Sequence, residues 1–252
     1  MFSDLFARVP LERLKSEHTQ LQRQELNPEV YISGAAVRQL SAIGRRRFER
    51  LLAAFAGHTL HAPFLDLAPG ALDDDVRDLT RRKLDRVMEA AAQWGSRLVV
   101  MHFNYDPVYY RGYFPGWLER AAELFRGLAA SGPRIALENI SEPTPAVYLQ
   151  LAECIGSDRI IPCFDFGHHR VFATVSFEKW LRALRPCRRI HFHLHDNDGD
   201  RDSHLPLGQG RIDWVRAKRA MASLGADFSV TLESHTPRDL DLSLAYYRRH
   251  FL

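Results

Sequence analysis

The sequence predicts an α/β fold, a single (β/α)₈ barrel that spans residues 1–252 as one domain. Short apolar segments alternate eight times with amphipathic segments of helical period. No linker or low-complexity stretch interrupts this alternation. A length of 252 residues is typical of α/β barrels that form one unit.

The first four units follow one pattern, in which a short strand precedes a longer helix. The second strand reads EVYIS, the third HTLHAPF and the fourth RLVVMHF, all rich in β-branched, aromatic or aliphatic residues. The helices between them carry apolar residues on one face and many arginines or acids on the other. The predicted strands cover residues 5–9, 29–33, 58–64 and 97–103, and the helices residues 11–24, 42–56, 74–94 and 117–130.

The last four units repeat the pattern with strands RIALE, RIIPCFD, RIHFHLH and FSVTLE. Each of these strands is an apolar run that carries polar residues at or near its carboxyl end. The predicted strands cover residues 134–138, 159–165, 189–195 and 228–233, and the helices residues 145–155, 177–184, 212–224 and 240–250.

Composition narrows the class of protein. A hydrophobic content of 46% and a charged content of 26% are ordinary for a globular protein with a sizeable core. The net charge of +3 lacks the strong asymmetry of a dedicated nucleic-acid binder. Cys154, Cys163 and Cys187 are odd in number and lack a C-x-x-C spacing, which predicts reduced thiols and a cytoplasmic location. We expect no signal peptide and no membrane span.

Residues 190–214, IHFHLHDNDGDRDSHLPLGQGRIDW, concentrate histidines and acids in one short block. The histidines at 191, 193 and 195 alternate with apolar residues, which is the period of a strand, and a Gly- and Asp-rich loop follows. Burying so many imidazoles and carboxylates without partners is costly, and a divalent cation removes that cost. This stretch therefore indicates metal binding, although His191 alone also suits a buried neutral histidine.

Six consecutive strands carry a metal-competent side chain at or near their carboxyl end. The residue before each is apolar, so alternation turns the polar side chain into the barrel and the apolar one towards the helices. The carboxyl ends of the strands form the mouth where barrels of this kind build active sites. The residues are His61, His102, Glu138, Asp165, His193 or His195, and Glu233.

The ordered motifs HAPFLDL, VVMHF, ALEN, FDFGHH, HLHDNDG, DSHLPLGQG and TLE resemble the xylose-isomerase-like TIM-barrel superfamily, in particular its AP-endonuclease (endonuclease IV) branch. The resemblance implies up to three zinc- or manganese-type ions. It assigns His61, His102 and a bridging Glu138 to the first ion. It assigns Glu138, Asp165, His193 and Glu233 to the second ion, and His168, Asp202 and His204 to the third.

Two activities follow from this resemblance. With all nine ligand positions filled, we expect a metal-dependent phosphodiester hydrolase, acting on a small nucleotide-type or cobamide phosphodiester or on abasic DNA. The alternative is a single-metal sugar or sugar-phosphate isomerase or epimerase, in which Glu138 and Glu233 move a proton and the histidine at 168 serves the substrate. A metal-dependent protein that only captures a sugar or nucleotide is the non-enzymatic interpretation.

Several further expectations depend on the same resemblance. Phe64 and His195 are expected to contact substrate, and His195 and Asp196 to orient ligand imidazoles. Where the endonuclease branch reads LGEG, this chain has Gln209, so a charge is missing near the third ion. The chain is also short for a DNA-cleaving member and shows no strongly basic groove, so a small-molecule partner is favoured over nucleic acid.

Overall fold

The computed structural model describes residues 4–252 and forms a closed barrel of eight parallel strands in the order β1 to β8, with β1 paired to β8. The predicted fold class is therefore confirmed. The strands are β1 Leu5–Pro10, β2 Asn27–Tyr31, β3 Thr59–His61, β4 Leu98–His102, β5 Arg134–Glu138, β6 Ile160–Asp165, β7 Arg189–Leu194 and β8 Asp227–Leu232.

Helices surround the barrel, and most begin at a side-chain cap. Asp73 accepts hydrogen bonds from the amides of Asp75 and Val76 at the start of the longest helix, and Ser41, Ser176, Asp213 and Thr236 cap four others. The helices are α1 Leu14–Arg23, α2 Ala42–Leu52, α3 Asp74–Trp94, α4 Phe114–Leu128, α5 Ala146–Ile155, α6 Phe166–Phe172, α7 Phe177–Ala183, α8 Trp214–Ala222 and α9 Pro237–Phe251.

Sequence reasoning placed all eight strands and eight of the nine α-helices, with boundaries that differ by up to four residues. Three of the differences affect how the barrel is built. The first predicted helix begins with a separate 3₁₀ turn, Leu11–Arg13. The second strand starts at Asn27, two residues earlier than predicted, and so brings Glu29 into its interior. Helix α6, which was expected to be loop, follows β6 directly because the side chain of Asp165 accepts a hydrogen bond from the amide of His168.

The strand alternation divides the core into two layers. Leu60, Met101, Leu137, Phe164 and Leu232 belong to the large hydrophobic cluster between strands and helices. Inside the barrel, a small cluster of Leu98, Val100, Ala136 and Cys163 fills the lower part. The polar strand-end residues lie above this small cluster, at the carboxyl mouth, as the alternation predicted.

The structure also describes the three cysteines and the lengths of the helices. Cys154, Cys163 and Cys187 are free, as expected of reduced thiols. Within residues 4–252, none of the helices has the length and apolar character needed to span a bilayer.

Candidate metal centre

Glu138, at the end of β5, is the residue on which four histidines converge. Its Oε2 lies 3.2 Å from Nε2 of His61 and 3.1 Å from Nε2 of His102. Its Oε1 lies 3.2 Å from Nδ1 of His168 and 3.3 Å from Nδ1 of His193. The register explains part of this convergence, because His102 is the β4 partner of Glu138.

His193, on β7, faces three carboxylates with one ring nitrogen. Its Nδ1 lies 3.3 Å from Glu138, 3.8 Å from Asp165 and 3.6 Å from Glu233. Glu138 and Asp165 end β5 and β6, Glu233 directly follows β8, and His193 and its carboxylate neighbours are all buried. Four ligand-type side chains thus surround one point at the mouth of the barrel.

A second group of ligand-type side chains lies beside the first. Helix α6 supplies His168, whose Nε2 is 3.3 Å from Oδ2 of Asp202. The loop after β7 supplies Asp202 itself and His204, which contact each other at 3.1 Å. His204 has a left-handed backbone, with φ of 47°, a conformation that clusters at functional sites.

His195 completes the second group. Its Nε2 lies 3.1 Å from Asp165 and 3.6 Å from Asp202, and its ring stacks on that of His204 with centroids 3.8 Å apart. A side chain at Gly167 would collide with this ring, since a Cβ there would lie 1.9 Å from it. One donor atom from each of His168, His195, Asp202 and His204 can lie within 4.8 Å of the others, the spacing of a cation site.

Both groups contain buried atoms that lack a hydrogen bond within the described chain. These atoms include Oε1 of Glu138, both ring nitrogens of His193, Nε2 of His102, Nδ1 of His195 and Nδ1 of His204. Buried polar atoms without partners are costly. Imidazole and carboxylate donors in this number suit zinc or manganese, so the residues present fit a divalent ion.

The charges of the centre are mutually dependent. Burial raises the pKa of Glu138, but the neighbouring His193 and His102 outweigh burial and hold that pKa well below its usual value. Burial lowers the pKa of His168, yet Asp165, Asp202 and Glu138 together raise it well above the ordinary value. The carboxylates therefore create a strong demand for positive charge at this mouth.

A cavity of about 420 Å³ opens above the centre. Phe64 lines it and stacks on the ring of His102 with centroids 4.2 Å apart, while Leu65 beside it is 68% exposed. Arg8 is the single arginine or lysine in its lining, with Nε 3.6 Å from Oε1 of Glu233 and the guanidinium over the ring of Tyr31. The cavity is of a size that suits a small substrate.

The structure brings all nine predicted ligand residues together, and it alters three secondary expectations. His195 is buried and absent from the cavity lining, so it lies with the ligand-type residues rather than on the substrate side. Gln209 is exposed and lies outside that lining, so its missing charge is not at the cavity.

The third altered expectation concerns Asp196, which does not contact the ligand imidazoles. Its carboxyl group accepts hydrogen bonds from the amides of Asn197, Gly208 and Ile212 and from the indole of Trp214. Both carboxylate oxygens of Asp196 thus accept hydrogen bonds from N–H groups within or next to this loop. Asp196 therefore organises the loop that carries Asp202 and His204.

Sequence reasoning missed Arg8 and Glu29. Both lie on inward-facing positions of β1 and β2, and the register pairs them directly. A charged residue inside an otherwise apolar predicted strand was the available signal. Glu29 was placed at the edge of its strand, where a charged side chain is unremarkable.

Comparison with known proteins identifies the family. Residues 28–250 match the family described as Xylose isomerase-like TIM barrel. The chain belongs to this family. The protein MJ1311 of Methanocaldococcus jannaschii is 29% identical over 191 residues, which are 71% of this chain and 65% of that protein. This chain thus matches less than two thirds of the length of that relative.

Several solved structures share the fold over almost the whole chain. A D-tagatose 3-epimerase-like protein has a TM-score of 0.86 at 24% identity, covering 98% of this chain and 96% of its own. The TTHB071 protein from Thermus thermophilus, soaked with ZnCl₂, has a TM-score of 0.77 at 26% identity, covering 98% and 97%. D-Psicose 3-epimerase from Clostridium cellulolyticum H10, with D-tagatose, has a TM-score of 0.78 at 16% identity, covering 98% and 99%.

These comparisons confirm the superfamily but do not support the expected AP-endonuclease branch. The similar structures with a named activity are sugar epimerases, whereas the sequence motifs pointed to the AP-endonuclease branch. The chain thus combines a xylose-isomerase-like barrel with buried clusters of side chains that could hold a metal ion.

Proposed function

We propose that this chain is a divalent-metal-dependent epimerase or isomerase of a small sugar or sugar phosphate. The observation that carries the proposal is the arrangement around Nδ1 of His193, which has Glu138, Asp165 and Glu233 within 3.3–3.8 Å. One histidine and three carboxylates are enough to hold a single zinc- or manganese-type ion. Such an ion, when bound, would polarise the carbonyl and the adjacent hydroxyl of a sugar.

Glu138 and Glu233 are the proposed acid–base pair. Glu138 ends β5 and Glu233 directly follows β8, so the two side chains approach the cavity from different sides. Both line the cavity. One carboxylate would remove the proton from the carbon next to the sugar carbonyl. The other would return a proton to the opposite face of that carbon, which inverts the centre without net oxidation. The sugar epimerases of the same fold support this interpretation.

The remaining cavity residues suit substrate binding. Phe64 and Leu65 form an apolar wall, and Arg8 offers a guanidinium that hydrogen-bonds to no group in residues 4–252. Sugar hydroxyls and phosphates are acceptors for such a guanidinium. Asp202 and His204 close the cavity on the side of the β7 loop.

The test is proton exchange with solvent. In D₂O, the metal-loaded protein should place deuterium next to the carbonyl of at least one ketose or ketose phosphate in a panel, detected by proton NMR. Glu138→Gln and Glu233→Gln should each lower the exchange rate by about 10²–10⁴-fold. Glu142→Gln is the control, because this glutamate is equally buried but lies outside the ligand set.

Hydrolysis of a phosphodiester is the second candidate, and a separate observation favours it. The group of His168, His195, Asp202 and His204, together with His61 and His102 beside Glu138, exceeds the needs of one ion. Clustered ions are the usual apparatus of phosphoester cleavage. Three ions per chain by elemental analysis, cleavage of a phosphodiester panel and no deuterium exchange would replace the epimerase proposal with this one. Turnover of any substrate in either panel excludes a pure binding role.

A further inference from the structure

A glutamate that sequence analysis did not single out lies one layer below the candidate metal centre. Glu29, on β2, is fully buried inside the barrel. Its Oε2 accepts hydrogen bonds from the hydroxyls of Thr59 and Thr231, each at 2.9 Å, and lies 3.0 Å from Nε2 of His191. Three donors from three different strands therefore occupy this one oxygen.

The other oxygen of Glu29 faces a candidate ligand. Oε1 lies 2.9 Å from Nε2 of His193, which is within ion-pair distance, and each of the two atoms lacks a hydrogen-bond partner in residues 4–252. The opposite nitrogen of the same ring, Nδ1, faces the carboxylates of Glu138, Asp165 and Glu233. The ring of His193 thus stands between one buried carboxylate below and three above.

We infer that Glu29 is a positioning residue that holds His193 with its proton on Nε2, so that the lone pair of Nδ1 faces the candidate metal centre. The inference rests on the metal site of the proposed function and adds a residue to it. A histidine that binds a metal through one nitrogen usually donates its other N–H to a carboxylate or carbonyl, which fixes the tautomer and the ring orientation. Because Thr59, Thr231 and His191 hold Oε2, the carboxylate cannot rotate away, and Oε1 stays directed at His193.

The substitution Glu29→Gln tests this role with little change in volume. The three donors around Oε2 would select the amide oxygen of glutamine for that side. Its NH₂ group would then face Nε2 of His193 and favour the tautomer with the proton on Nδ1, where the metal should bind. We expect the dissociation constant for zinc, measured by competition with a chromophoric chelator, to rise about 10–100-fold.

The control is Glu142→Gln, which removes another buried carboxyl group. This group accepts a hydrogen bond from the amide of Ile140 and forms no hydrogen bond or ion pair with a candidate ligand within residues 4–252, so the variant should bind zinc like the wild type. Thermal unfolding and circular dichroism of the metal-free variants establish that both are folded. Wild-type zinc affinity in folded Glu29→Gln overturns the inference. If the wild-type chain binds no divalent ion, both this inference and the proposed function are wrong. If the wild type binds zinc and Glu29→Gln binds it equally well, only this inference is wrong.

A second measurement needs no substitution at Glu29. In the zinc-loaded wild type labelled with ¹⁵N histidine, the ring of His193 should show a slowly exchanging proton on Nε2 and none on Nδ1. The signals are assigned by their loss in His193→Gln. A proton on Nδ1 in the loaded protein contradicts the inference even if Glu29→Gln does not fold.

Discussion

At the scale of single residues, function and stability depend on how each buried polar group finds a partner. The carboxylate of Glu138 contacts four histidines, and the carboxylate of Glu29 contacts two threonines and two histidines. His58, just before β3, is a contrasting case. It is buried away from the mouth, and its Nε2 has no hydrogen-bond partner among residues 4–252.

His58 should make the protein less stable in mild acid. Burial lowers the pKa of His58 from 6.5 to about 4, with a smaller contribution from the nearby positive charge of Arg97. Between these values the unfolded chain binds a proton that the folded chain does not, so stability falls as pH decreases through this window. The loss is at most about 3 kcal/mol for this one group. Urea unfolding at several pH values should show a shallower acid loss for His58→Gln than for the wild type.

The exposed His250, in α9, provides the control for this measurement. His250→Gln makes the same replacement at an exposed site, so it measures how far the substitution itself changes the slope of unfolding free energy against pH. An unchanged slope in His58→Gln would show that burial of this imidazole does not contribute to the acid sensitivity.

At the scale of elements, the loop between β7 and α8 is built around Asp196. Its carboxyl group accepts four N–H groups from positions as distant as Trp214, over 2.8–3.1 Å. A side chain at Gly210 would approach within 2.3 Å of Oδ1 of Asp196, so a glycine is needed beside this carboxyl group. The loop thereby gains a fixed shape that presents Asp202 and His204 to the mouth.

We expect Asp196→Asn to loosen this loop without disrupting the barrel. The amide NH₂ would face N–H donors, leaving at least one of them unpaired, at a cost of about 2–3 kcal/mol. Hydrogen exchange should show reduced protection at the amides of Gly208 and Ile212, with the strands unaffected.

Asp198→Asn is the matched control in the same loop. Its exposed carboxylate lies 3.7 Å from Arg211, and such surface pairs contribute about 0–1 kcal/mol. Equal protection in both variants would contradict this role.

The accuracy with which the sequence predicted each helix or strand depended on the length of its hydrophobic pattern. Helix α3, with 21 residues and an Asp73 cap, was predicted to its boundaries, and so was β5. Helix α6 was missed because seven residues hold too little periodicity, and its cap, Asp165, was interpreted only as a ligand. Six of the nine candidate ligands could be predicted because period-two alternation fixes which strand-end side chains enter the barrel, whereas His168, Asp202 and His204 were assigned only by the family resemblance. The roles of Glu29 and Arg8 could not be predicted, since they depend on contacts across strands. The local pattern offered only the signal of a charged residue inside an apolar strand.

At the scale of the whole molecule, the mouth is more acidic than the rest of the chain. The chain has a net charge of +3, yet the cavity lining includes Asp66, Glu138, Asp202 and Glu233 against the single Arg8. A phosphate backbone requires a basic track rather than an acidic cavity, so this distribution favours small substrates over nucleic acid. A cation held by Glu138, Asp165, His193 and Glu233 would offset the excess of carboxylates and connect the four consecutive strands β5 to β8.

Metal binding should therefore stabilise the entire barrel rather than the loop alone. An ion that binds only the folded chain, at a concentration about 100 times its dissociation constant, adds about 2.7 kcal/mol. For a domain of this size that corresponds to a rise in Tm of roughly 5–10 °C. We expect zinc or manganese to restore this increment to chelator-treated protein in differential scanning calorimetry, and calcium to restore little of it, because calcium prefers sites built from oxygen donors alone. His193→Gln should abolish the rise, since it removes the one imidazole among the three carboxylates. An equal rise with calcium would indicate that the acids bind cations without the histidines, and an unchanged Tm with all three ions would mean that the clustered side chains do not form a metal centre.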